Sequence, residues 1–133
     1  MTPVLKTLPL IALLAACTGD ETLTAYGVSG AYRLSSLSGG TAPRATISFP
    51  EPGLVAGEAP CNAYSGRQTA PYPWFKIEDI SATRLACDAL DQETRFFDAL
   101  RSMTEAETLG TTLILRNTEG GEMVFTQINA TSR

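Results

Sequence analysis

The sequence predicts an α+β domain of short strands with one main helix. Three observations carry this expectation. Short runs of alternating apolar and polar residues recur between turns rich in Gly and Pro. One stretch, near residues 91–104, has apolar side chains at helical spacing instead. The chain has 133 residues, and removing a 16-residue export signal leaves 117, enough for one domain and too few for two.

The N-terminus reads as an address. Lys6 is the only charged side chain before Asp20, and the apolar run Leu8–Ala16 follows it. A membrane-spanning helix needs ~20 apolar residues, so this run is too short to span and has the length of a signal-peptide core. It ends in Leu14-Ala15-Ala16-Cys17, which resembles the lipobox of bacterial lipoproteins. That resemblance implies removal of residues 1–16 and a lipidated Cys17, whose acyl chains form a stable anchor when two or more are present. The alternative is a soluble secreted chain cut after Ala16. Thr18, rather than Asp, follows the cysteine. By resemblance to sorted lipoproteins this points to the outer membrane over the inner, with the domain in the periplasm. Residues 17–29 are polar and read as a tether.

The domain is expected over residues 30–126, with 127–133 as a tail. Tyr32 and Leu34 alternate in a first strand after Gly30. Ile47 and Phe49 share one face of a second. Pro50-Glu51-Pro52-Gly53 is a turn, because Pro presets φ and Gly permits positive φ. Leu54–Gly57 returns as the other arm of a hairpin. Ala59–Pro73 holds Pro60, Gly66, Pro71 and Pro73, and reads as a loop or irregular edge. Trp74–Ile80 reads as a strand with Phe75 and Ile77 inward and Lys76 and Glu78 outward. The helix follows. Asp88 or Asp91 is its expected N-cap, and Asp91 and Glu93 fall in the first turn, where the helix dipole favours acids. Phe96, Leu100 and Met103 form one stripe with Phe97 beside it, and Arg95, Asp98 and Arg101 point away. Thr111–Arg116 and the strand through Met123 and Phe125 form a last hairpin about Asn117–Gly121.

Composition excludes several functions. The formal charge is −4, and loss of Lys6 makes it −5. A mildly acidic domain without a basic stripe has no electrostatic reason to bind nucleic acid or an anionic lipid surface. The chain contains no histidine, the commonest general base and metal ligand. A Ser–Lys pair would need Lys76, which alternates as an outward residue. A carboxylate pair for glycoside hydrolysis would need Asp79, Asp88 or Glu93, placed where acids usually meet solvent or cap helices. Asp88 and Asp91 lack the spacing of a calcium loop. No cofactor and no metal are expected.

Cys61 and Cys87 remain once Cys17 is assigned. An even pair in an exported domain is read as a disulfide. Two free buried thiols and a redox pair are the alternatives, although redox pairs usually take Cys-x-x-Cys spacing. Closing the 25-residue loop would contribute ~3–4 kcal/mol.

Cys61-Asn62-Ala63-Tyr64-Ser65-Gly66 resembles the Cys-Asn-x-x-x-Gly segment of the META domain, also called the HslJ-like family. Ile77–Cys87 resembles its second block, ending in Thr83-Arg84-Leu85-Ala86-Cys87. A helix and a terminal hairpin follow in the family's order. Pro60 departs from the family's usual Gly. The resemblance implies a curved antiparallel β-sheet or partial barrel packed against one main α-helix, in the cell envelope, with links to stress tolerance or secretion and no established catalytic residues. Asn62 is expected to lock a turn through its amide; a ligand contact is the alternative. Asn62, Tyr64, Tyr72 and Trp74 together mark a possible binding surface. The expected function is therefore non-catalytic binding of an envelope protein or component. A pilotin-like or hydrophobic-ligand carrier, and a periplasmic inhibitor or small hydrolase, are the alternatives.

Overall fold

The computed structural model describes residues 3–4, 19–38 and 40–129. The signal segment from residue 5, Cys17 and the last four residues lie outside the described residues. Eight strands form one antiparallel sheet: β1 (Ala31–Leu37), β2 (Thr46–Ser48), β3 (Leu54–Glu58), β4 (Ala63–Gln68), β5 (Ile77–Ala82), β6 (Glu105–Leu109), β7 (Thr112–Arg116) and β8 (Glu122–Gln127). Their order is β5-β4-β3-β2-β1-β8-β7-β6. The one α-helix among the described residues, α1 (Leu90–Ser102), connects the two edge strands. The sheet curls into a half-barrel with the helix across its open side, as the resemblance implies.

The pleat explains the core. Alternate residues of each strand face inward, so Tyr32 and Leu34, Ile47, Val55, Tyr64, Leu113 and Leu115, and Met123 and Phe125 are all buried. The helix adds Phe96, Phe97 and Leu100 on the stripe expected of it. Phe96, Leu100, Leu113, Leu115, Met123 and Phe125 have no exposed surface, so the interior of the half-barrel is filled. Both expected hairpins form. Ser48 pairs with Ala56, and Leu113 with Phe125. Asn117 shapes the second turn, its Oδ1 accepting from the N–H groups of Glu119 and Gly121.

Several expectations need correcting. Ala59–Pro73 is not simply a loop, since it contains β4, paired on both sides. Its inward positions are Tyr64, Gly66 and Gln68, so only one large apolar side chain marks the strand. Strand β6 was likewise unmarked, Ala106 being its buried apolar residue. The strand expected from Trp74 begins at Ile77, although Phe75 and Ile77 are inward as expected. The helix N-cap is Ala89 rather than Asp88 or Asp91, with no side-chain cap. Arg95 does not point away: it donates to the Thr41 carbonyl at 2.8 Å. The folded body also begins before residue 30. Leu23–Tyr26 form a 3₁₀ turn, and Leu23 and Val28 are buried, so the polar segment 17–29 is not all tether.

That N-terminal turn helps close the sheet. Phe75 N–H donates to the Thr104 carbonyl and Ala106 N–H to the Pro73 carbonyl, each at 2.8 Å, so residues 73–75 lie against the start of β6. Tyr72 N–H donates to the Glu21 carbonyl at 2.8 Å, and Thr108 Oγ1 donates to the Tyr26 carbonyl. The two edges of the sheet therefore meet through residues 21–26 and 72–75.

Candidate functional site

The four residues expected to form one surface separate into two places. Asn62 and Tyr64 are inside. Tyr72 and Trp74 lie at the sheet's closure.

Asn62 is the centre of a buried polar clamp. Its Nδ2 donates to Glu93 Oε2 at 2.7 Å and to the Leu85 carbonyl at 3.1 Å. Its Oδ1 accepts from Leu85 N–H at 2.7 Å and Thr83 Oγ1 at 2.8 Å. Every hydrogen-bonding position of the amide is thus used within the fold, as the turn-locking reading expects. Glu93 completes the clamp. Its Oε1 accepts from the N–H groups of Cys61 and Asn62, at 3.1 and 2.8 Å. A buried carboxylate is tolerable where charge-assisted donors replace water, and here three do so. Cys61 and Cys87 are joined in a disulfide, their Cα atoms 5.7 Å apart. Helix α1, the β3–β4 turn and the loop after β5 are thus joined by one amide, one carboxylate and one covalent bond.

Tyr64 belongs to the core. Its ring meets Phe96 and Phe97 edge-on at 5.6 and 5.4 Å, and its hydroxyl donates to the Thr46 carbonyl at 2.8 Å. Burial pushes its phenol well above the usual tyrosine range. The hydroxyl reaches Thr46 across Gly57, where a Cβ would run into the Thr46 carbonyl.

The second place is a groove of about 290 Å³ lined by Tyr72, Pro73, Glu105, Glu107, Ile114 and Arg116. Gln68 sets its rim. Buried on β4, it accepts from Lys76 N–H at 2.8 Å and donates to the carbonyls of Ala70 and Trp74, so the Pro71–Trp74 loop is held outward. The Tyr72–Pro73 peptide is cis. Tyr72 stacks on Tyr26, ring centres 4.5 Å apart. Trp74 is 54% exposed and Tyr26 49%. On the groove's other wall Arg116 is held by Glu107 and, at 3.0 Å, by Glu122. Those hydrogen bonds raise the already high Arg116 pKa further, so the guanidinium stays charged.

The remaining acids do not meet Glu93. Asp79 pairs with Arg67, Nε to Oδ2 2.9 Å, at a bulge where Asp79 adopts positive φ. Lys76 is exposed and paired with Glu78 at 3.2 Å. Among the described residues no cluster of three or more metal-ligating side chains occurs.

Sequence reasoning put Glu93 in the first turn of α1, where acids usually meet solvent or cap a helix, and missed its burial; it missed Gln68 altogether. Glu93 had a signal: it lies three and four residues before Phe96 and Phe97, on the apolar stripe, so its side chain faces the core. Gln68 had a weaker one, sharing the face of Tyr64 and Gly66 in β4.

The sequence matches the META domain family over residues 21–130. The chain belongs to the META domain family. The match begins at Glu21, where the structure also begins to pack. No curated protein matches. Among solved structures this META domain is similar to a DUF4847 family protein from Bacteroides vulgatus ATCC 8482, at 12% identity and TM-score 0.61, covering 76% of this chain and 94% of that one. It is also similar to a protein from Burkholderia xenovorans, at 16% identity and TM-score 0.61, covering 92% and 99%. At these identities the likeness establishes the META domain's fold.

Proposed function

We propose that this META-domain protein is a lipid-anchored, non-catalytic binding module of the bacterial envelope, attached through Cys17 and holding an envelope protein or component in the Tyr72–Arg116 groove. The observation that carries the reading is the division of polar groups. Asn62 and Glu93 spend their hydrogen bonds on the fold, whereas the groove leaves Tyr72 and Ile114 beside charged side chains at the surface. Concave apolar surface with a few fixed polar groups suits recognition. The carrier alternative gains less support, because Phe96, Phe125 and Met123 occupy the space an acyl chain would need. The hydrolase alternative would need a free acid beside a second one, and Glu93 is committed to the clamp.

Two measurements test this. Intact mass of the mature chain from a bacterial envelope should show a diacylglyceryl-modified residue 17; an unmodified thiol refutes the anchor. A photo-crosslinker at Ile114 should give an adduct of defined mass in envelopes, while one at the exposed Ser65 of β4 should not. Identical adducts from both positions, or none from Ile114, would refute the groove.

A further inference from the structure

The tether is far shorter than its polarity implies, and this fixes which face meets the membrane. We propose that the exposed rings of the aromatic rim, Tyr26 and Trp74, rest in the interface of the bilayer that holds the Cys17 lipid, with Tyr72 left to the groove; this rests on the anchor proposed above.

The Glu21 carbonyl is bonded to Tyr72 N–H, so chain position 21 is fixed beside the rim. Asp20 is ordered too, its Oδ1 accepting from Thr22 N–H at 2.9 Å. Only Thr18, Gly19 and Asp20 lie between Cys17 and Glu21. Fully extended, the four residue steps span ~14 Å at most, at about 3.3–3.6 Å each. An anchored chain therefore cannot carry the rim far from the lipid surface. It also cannot bring the opposite end of the sheet, ~20 Å away along β5, to that surface without breaking the Glu21–Tyr72 bond and withdrawing Leu23 from the core. The rim has the right chemistry for this position. Trp and Tyr favour the headgroup layer, where an apolar ring and a polar atom are both accommodated. Trp74 and Tyr26 are the exposed large rings of the domain, and both stand where the chain enters it. Leu109, 57% exposed, adds an aliphatic contact one residue after Thr108, which bonds Tyr26. The acids nearby, Asp20, Glu21, Glu105 and Glu107, disfavour anionic headgroups and suit a zwitterionic surface. The clamp then projects away from the membrane. Leu85 follows the far end of β5, a strand whose six residues span ~20 Å from the Trp74 side.

Trp74 is the chain's only tryptophan, so the test has a single reporter. The lipidated protein is reconstituted in phosphatidylcholine vesicles, with and without acyl chains brominated near the headgroup. Emission from Trp74 should be blue-shifted and should lose the larger part of its intensity in the brominated vesicles. The double variant Trp74→Phe, Leu85→Trp should float with the vesicles and stay unquenched. Equal quenching at both positions, or a floating, lipidated chain whose Trp74 is red-shifted and unquenched, overturns the proposed face while leaving the anchor intact. A chain without lipid at residue 17 overturns both.

Discussion

The clamp around Asn62 and the rim around Trp74 stand 12 residues apart in sequence and read alike, as polar and aromatic residues in a turn-rich stretch. The structure separates them by burial. At the clamp every polar atom has found a protein partner, and the sulfur atoms are joined. At the rim the backbone is pinned, by Gln68 and Glu21, but the Tyr26 and Trp74 rings are about half exposed. Pinned backbone with free side chains is what a binding surface requires. Saturated side chains are what a structural joint requires. The difference can be broken or sharpened by substitution.

The largest effect is expected at Glu93. Glu93→Ala strips the carboxylate from three N–H donors at once, two of them in buried contacts and that of Cys61 half-buried. The two buried donors cost ~1–3 kcal/mol each when orphaned, so a loss of about 2–6 kcal/mol is expected in urea unfolding. That is a large share of the ~5–15 kcal/mol typical of a domain. A loss below about 1 kcal/mol would mean water already serves those donors, and the clamp would be no joint. Removing the disulfide with Cys61→Ser and Cys87→Ser should cost less, about 2–4 kcal/mol by the same measurement, because the entropy of one closed loop is all that is returned to the unfolded chain. Both changes should leave Trp74 emission unaltered in the folded state, since the rim is held by different bonds.

How much of this contrast was legible in the sequence depends on which signal each element carries. The helix and the last hairpin declared themselves through apolar periodicity, as at Phe96, Leu100, Leu113 and Phe125. The Cys61–Cys87 bond was expected from the pair that remains once Cys17 is set aside, in a chain read as exported. Strands β4 and β6 did not declare themselves, because Gly66, Gln68 and Ala106 fill inward positions without adding a large apolar residue. Their pairing comes from neighbours distant in sequence, which local propensity cannot report. Tyr64 looked like the rim's tyrosines; only the approach of Phe96 and Phe97 from a separate helix distinguishes it. Residues 21–29 looked like tether because polar residues outnumber Leu23 and Val28, although those two carry the packing.

At the rim, Trp74→Ala should change stability by about 1 kcal/mol or less, since half of the side chain already faces water. The same substitution should weaken crosslinking through Ile114 if the rim and the groove act on one ligand. An unfolding midpoint lowered as far as by the Glu93 change would place Trp74 among the structural groups and erase the contrast.

The smallest effect concerns where the fold starts. The Thr22 side chain, and then its N–H, stabilise the Asp20 carboxylate and hold its pKa below the usual carboxylate value. The sign follows from linkage. A depressed folded pKa means the contact stabilises the fold above the ordinary value, and that contribution is lost as pH falls through the folded one. Asp20 is fully exposed. The readout is therefore its own titration by carbonyl NMR rather than an unfolding curve. Thr22→Ala should move the midpoint upward toward the unperturbed carboxylate. An Asp20 that titrates ordinarily in the native chain would mean the turn at residues 20–22 is not formed. The Glu21–Tyr72 bond would then be the first contact that pins the chain, and the proposed reach from Cys17 would rest on it alone.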